Sequence, residues 1–84
     1  MKNKIELEHI GTILWEEFMK PNRKGIGFLS AILKINANKL WAIISGKIDI
    51  DNKTDYKLTK YFGLSKGFFL RLQDDYKKRM ENRK

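Results

Sequence analysis

Apolar residues recur at helical spacing in five stretches of the chain, separated by short polar or glycine-containing breaks. Ile10, Ile13, Leu14 and Phe18 form the first stripe, with Glu16 and Glu17 outside it. Lys20-Pro21 ends that helix, because the residue before a proline is pushed out of the helical region. Phe28, Leu29, Ile32 and Leu33 form the second stripe. Lys34-Ile35-Asn36 then changes direction, and Leu40, Ile43 and Ile44 form a third before Gly46 supplies a stop. The pair, about 26–46, is predicted to be a helix-turn-helix. Each of its helices is too short to stand alone and must bury its stripe against other helices. Asp51 is a good N-cap for a fourth helix through Phe62, with Leu58, Tyr61 and Phe62 inward and Gly63 just past its end. Ser65 is expected to cap the last helix, about 65–80, whose stripe is Phe68, Phe69, Leu72, Tyr76 and Met80. Residues 1–8 alternate Ile5 and Leu7 with charged neighbours and are read as a short N-terminal arm. The prediction is an all-α fold, a compact five-helix helix-turn-helix domain occupying 1–84 as one unit.

Charge gives the hairpin a partner. Residues 1–19 carry a net −2, residues 20–47 carry six basic groups and no acid, and residues 48–84 carry a net +4, within a formal charge of +8. A small chain whose positive charge concentrates on a helix-turn-helix points to nucleic acid. Packing the two stripes inward leaves Asn36, Ala37, Asn38, Lys39 and Ala42 facing a major groove, with Ser45 and Lys47 near the DNA backbone. Asn38 is the best base reader, since an amide can bond adenine through two edges at once.

Other chemistry finds little support. With no cysteine there is neither a disulfide nor a thiolate metal site, and the single His9 has no second ligand at metal spacing, so it is read as a capping or surface residue. Gly25-Ile26-Gly27 lacks the remaining glycine, lysine and strand context of a nucleotide loop. No carboxylate pair sits in a recognisable active-site motif, so no enzyme, cofactor or metal is expected. The Met1-Lys2-Asn3-Lys4 start has no signal-peptide character and no apolar run is long enough to span a bilayer, giving the expectation of a cytoplasmic protein without a membrane partner. A chain of 84 residues buries a modest share of its surface, so a partner subunit is expected. Ile5 and Leu7 at one end and Leu72, Tyr76 and Met80 at the other exceed what a small core requires, and are the candidate homodimer interface.

Two blocks of residues resemble a known family. His9-Ile10-Gly11-Thr12-Ile13-Leu14-Trp15-Glu16-Glu17-Phe18-Met19-Lys20-Pro21 is similar to the His-Pro-Gly-x-x-Leu-x-Glu-Glu-Phe-Leu-x-Pro signature of HigA-type antitoxins, within the Xre class of helix-turn-helix proteins. The segment from Thr54 to Gln73 resembles their Thr-Asp-x-Arg-Leu-x-x-Phe-Phe-Gly-x-Ser-x-Gly-x-Trp-Leu-x-Leu-Gln block. The resemblance implies a lambda-repressor-like five-helix homodimer that binds a palindromic operator upstream of its own operon. It also implies a protein that neutralises a HigB-like toxin, similar to RelE-type messenger-RNA endonucleases. Such toxins are expected to be basic, so Glu6, Glu8, Glu16 and Glu17 are the candidate toxin-binding group. Four residues stand out among the departures from the pattern. Ile10 replaces a proline. Ile26 stands where a phosphate-binding Gln often opens the first hairpin helix, leaving Arg23 or Lys24 to replace that contact. Trp41-Ala42 stands where Asn or Ser then Glu is common. An indole at that position is compatible with stacking on sugar–phosphate, with packing on a neighbouring helix, or with lost operator function. A solitary Xre-type repressor and a protein-interaction module without DNA binding are the alternatives.

Overall fold

His9 opens the folded domain: its backbone is extended and its Nδ1 accepts the Gly11 N–H at 2.9 Å, capping the first helix. The computed structural model describes residues 9–82, so the arm with Ile5, Glu6, Leu7 and Glu8 lies outside the described residues. Helix α1 begins as Ile10–Ile13 and continues through Leu14–Met19 with the wider bonding of a π-helix, in which the Lys20 N–H reaches the Trp15 carbonyl at 2.8 Å. The wider turn brings Met19 onto the face of Leu14, and both are fully buried. Regular α-helical spacing selects Phe18 instead, which sits half-buried against the rings of Phe62, Phe68 and Phe69.

Helices α2, Ile26–Leu33, and α3, Ala37–Ile44, form the predicted hairpin. Lys34 turns the chain in the left-handed conformation (φ 58°, ψ 45°), and its N–H bonds the Ser30 carbonyl. The Ser30 hydroxyl donates to the Ile35 carbonyl at 2.6 Å, and the Lys57 ammonium donates to the Lys34 carbonyl at 3.1 Å. The buried face of α2 is Leu29 with Ile26 and Leu33 half-buried, whereas Phe28 and Ile32, expected inside, are 44% and 49% exposed. Six of its eight residues are apolar, more than one helix face can bury.

Helix α4, Asn52–Phe62, is capped by Asp51 and closed by Gly63 in the left-handed conformation (φ 71°). Helix α5, Phe68–Asn82, starts three residues later than the expected Ser65. Ser65 does not cap it through its side chain: its hydroxyl accepts from the Arg71 guanidinium at 2.8 Å. Residues 66–67 form a turn, with Gly67 at φ 82°, that delivers the N-terminus of α5 to Asp55 on α4. That carboxylate accepts the N–H groups of Gly67, Phe69 and Leu70 at 2.9, 3.0 and 3.3 Å.

The core joins all five helices through Leu14, Met19, Leu29, Leu40, Ile43, Leu58 and Phe69, and takes Ile35 and Ile50 from the connections. Gln73 on α5 clamps Ile50 from both sides, accepting its N–H at 2.7 Å and donating to its carbonyl at 3.0 Å. The stripe expected to be surplus is partly used within the chain. Leu72 packs against the core, and Tyr76 meets the His9 ring edge-on at 6.2 Å between centroids. The fold is all-α, as the spacing predicts. Among the described residues no helix is long and apolar enough to cross a membrane.

Candidate nucleic-acid interface

Helix α3 is held at three points. At its start, Asn36 Oδ1 accepts the N–H groups of Asn38 and Lys39 at 2.8 and 3.2 Å. Along its inner side, Leu40 and Ile43 are fully buried. At its end, α1 touches it backbone to backbone: a Cβ on Gly11 would stand 2.1 Å from the Ile43 carbonyl oxygen and 2.6 Å from that of Ile44. The His9 ring closes the same corner over Gly46, which turns at φ 82°. The outward face of α3 is thereby set by its cap, its buried inner side and the close backbone contact at its end.

The residues predicted for that face divide into two sets. Ala37, Asn38, Ser45 and Lys47 are exposed. Asn36 is also exposed, but its side-chain oxygen is committed to the cap, and Ala42 is half-buried. The Lys39 ammonium bonds the Asp51 carboxylate at 3.0 Å, which draws it toward the start of α4. Hydrogen bonds from the Thr54 hydroxyl and backbone N–H, reinforced by that ammonium, hold the Asp51 carboxyl well below the usual carboxylate range. A residue left out of the predicted set shares the outer face: Trp41 is 56% exposed. Its spacing of three residues from Asn38 and four from Ser45 was the signal for this position, although its apolar character equally suited packing.

The second part of the interface is the start of α2. Gly25 gives that helix no side-chain cap, and the space around Gly25 and Gly27 is open. Backbone N–H groups at an uncapped helix start favour an anion such as phosphate. Arg23 is exposed just before it, and the Lys24 ammonium lies over the Phe28 ring at 4.7 Å. No acid occurs in residues 20–47. The arrangement offers cations and helix-start amides for phosphates, and an amide and an indole for base edges.

The remaining predicted residues lie elsewhere. Glu16 and Glu17 are exposed on α1, with Glu16 paired to Lys20 at 3.8 Å, while their predicted companions Glu6 and Glu8 are outside the described residues. Leu72, Tyr76 and Met80 line a half-buried side of α5. Among the described residues no cluster of His, Cys, Asp or Glu is arranged to hold a metal ion.

Solved structures share this architecture. The chain is 35% identical to an addiction module antidote protein of a HigA family from Coxiella burnetii, with a TM-score of 0.79 over 88% of this chain and 80% of that one. It is 27% identical to the Pseudomonas aeruginosa antitoxin HigA solved with the higBA promoter (TM-score 0.82, 89% of this chain and 82% of that one). A Pseudomonas aeruginosa protein in complex with its 28-bp operator DNA matches at 27% identity and a TM-score of 0.83, with the same coverage. No protein-family profile and no curated protein sequence matches the chain.

Proposed function

This chain belongs to the HigA family of antitoxins, and we propose that it is a dimeric, DNA-binding autorepressor that also binds and neutralises a HigB/RelE-like messenger-RNA endonuclease toxin. One observation carries the DNA-binding part. The outward face of α3, with Asn38 exposed and Trp41 and Ser45 beside it, belongs to a segment with six basic residues and no acid. Structural neighbours at 27% identity carry promoter or operator DNA, which supports DNA binding here, and a short exposed helix such as α3 suits a major groove. Arg23, Lys24, Lys47 and the start of α2 serve phosphates, and Asn38 serves a base edge. The role is binding without catalysis, with no cofactor, in the cytoplasm.

Dimerisation follows from the size of the reading surface. One hairpin covers a few base pairs, and two linked copies about 34–36 Å apart combine their binding free energies on a palindromic operator. The half-buried side of α5 with Leu72, Tyr76 and Met80, together with Ile5 and Leu7 of the N-terminal arm, is the proposed two-fold contact. Toxin binding is assigned to the acidic N-terminal block, Glu6 and Glu8 with Glu16 and Glu17 of α1, because that block precedes the DNA-facing hairpin in the chain and carries the complementary sign for a basic toxin.

A gel-shift titration on DNA upstream of the gene, with and without the product of the adjacent gene, tests the reading. Binding of a palindrome, retained or strengthened by that second protein, supports the antitoxin. Binding that ignores every neighbouring product favours a solitary repressor, and no binding favours a protein-interaction module. Light scattering on wild type, Leu72→Asp and Tyr76→Asp tests the dimer, and calorimetry of the Glu16→Lys, Glu17→Lys double variant against the toxin tests the acidic surface.

A further inference from the structure

We propose that Trp41 reads sequence at the DNA interface, its indole seated against the 5-methyl group of a thymine in the major groove. The assignment rests on the DNA-binding reading above. The inner side of α3 is already filled by Leu40 and Ile43, both fully buried, so the indole is not required by the core. Among the described residues no ring stacks on it and no acceptor takes its N–H, and 56% of it remains open. An exposed tryptophan on a short helix awaits a partner, and the charge around it selects a polyanion: residues 20–47 hold six cations and no acid.

The neighbours narrow the contact to a base. Lys39 is turned to Asp51, Ala42 is half-buried, and the Ser45 hydroxyl donates to the Trp41 carbonyl. Asn38 and Trp41 are left as the large groups of the outer face, three residues apart. An amide suits adenine, and an apolar plane suits the thymine methyl, the one apolar group a base pair shows in the major groove. The two side chains together call for an A·T pair or adjacent A·T steps in each half-site.

The test titrates wild type, Trp41→Ala and Trp41→Leu against the upstream operator and against copies in which each thymine in turn is replaced by deoxyuridine, which lacks the methyl group. Circular dichroism confirms that the variants fold. Wild type is expected to lose about fourfold in affinity per half-site at one replaced thymine, the size of one buried methyl group. Trp41→Ala is expected to bind the thymine operator more weakly and to be indifferent to that replacement. In a Trp15→Phe background, which leaves Trp41 as the single tryptophan, emission should shift to the blue on binding. Wild-type affinity and an unchanged replacement profile in Trp41→Ala overturn the assignment while the DNA-binding reading stands. Uniform weakening with an unchanged profile also overturns it, in favour of backbone stacking. Absence of any operator binding by wild type removes the DNA-binding reading and this assignment with it.

Discussion

The carboxylate of Asp55 accepts the backbone N–H of Phe69 at 3.0 Å, fourteen residues further along the chain and on the next helix. Asp55 is 2% exposed, and its two oxygens also satisfy Gly67 and Leu70. The buried acidic side chain is tolerated there because three N–H donors and the positive end of α5 replace water. Asp55→Ala leaves those donors without their acceptor beside a fully buried Phe69, and should cost about 2–4 kcal/mol in urea unfolding. Asp55→Asn keeps one acceptor oxygen and should cost less.

That cap explains part of the family resemblance. Thr54-Asp55, Gly67 and Gln73 are legible in sequence as matches to a pattern, yet their tasks depend on contacts between segments 12 to 23 residues apart, which no local spacing encodes. Local pattern does give the five helices, the Asp51 cap and Gly63 just past its helix, and it leaves His9, which caps α1, open between a capping and a surface role. It misses Met19, because a π-helical segment changes the period. It places Phe28 and Ile32 inside because an apolar-rich helix offers two faces and only packing chooses between them. At the candidate site it places Asn38 on the outer face and Ser45 at the end of the helix, both exposed, but it has no means of finding the Lys39–Asp51 pair across 12 residues.

Of the six glycines, Gly11 leaves the least room for a side chain. Gly11→Ala drives a methyl group into the Ile43 and Ile44 carbonyls, backbone atoms that cannot swing aside as a side chain would. The variant should lose about 1–3 kcal/mol of stability, measured by thermal or urea unfolding. Because relief requires moving α3 relative to α1, operator affinity should fall as well, although Gly11 is buried.

Lys34 works against its own backbone. A left-handed residue with a Cβ costs about 1–2 kcal/mol, and glycine recovers this less an unfolded-chain entropy of about 0.5–1 kcal/mol. Lys34→Gly should therefore stabilise the domain by roughly 0.5–1 kcal/mol. The Lys57 bond goes to the Lys34 carbonyl and survives the change. The melting temperature should rise by roughly 2–8 °C in calorimetry, and an unchanged or lower value would show that the lysine side chain supplies a compensating contact.

Asn38 is exposed on the outer face, with its backbone N–H fixed by the Asn36 cap and its side chain available for bases. Asn38→Ala should relax preference at one operator position by about 1–3 kcal/mol. Selection from a randomised half-site library reads this directly: an unaltered consensus with wild-type affinity would remove Asn38 from the reading set.

Asp51 couples the start of α4 to the recognition helix, and its charge can be removed without removing its cap. Asparagine caps a helix about as well as aspartate, so Asp51→Asn should keep the bond from the Thr54 N–H while losing the ion pair to Lys39. At neutral pH the exposed pair contributes at most about 1 kcal/mol, so stability should change little. The acid side differs. The folded carboxyl titrates below its usual value because the Thr54 hydroxyl and N–H, then Lys39, favour its charged form. Its contribution is complete above the unfolded value of about 3.9 and fades as the pH falls toward the lower folded value, so wild type should lose this increment below about pH 4 and Asp51→Asn should not. The same substitution frees the Lys39 ammonium. If it then reaches a phosphate, Asp51→Asn should bind all DNA sequences more tightly, with a salt dependence steeper by about 0.9 in log–log slope for each half-site. Lys39→Ala, already deprived of that contact by the ion pair, should shift the wild-type slope by less. Equal slopes for wild type and Asp51→Asn would mean that Lys39 does not reach DNA even when released, leaving phosphate contacts to Arg23, Lys24 and Lys47.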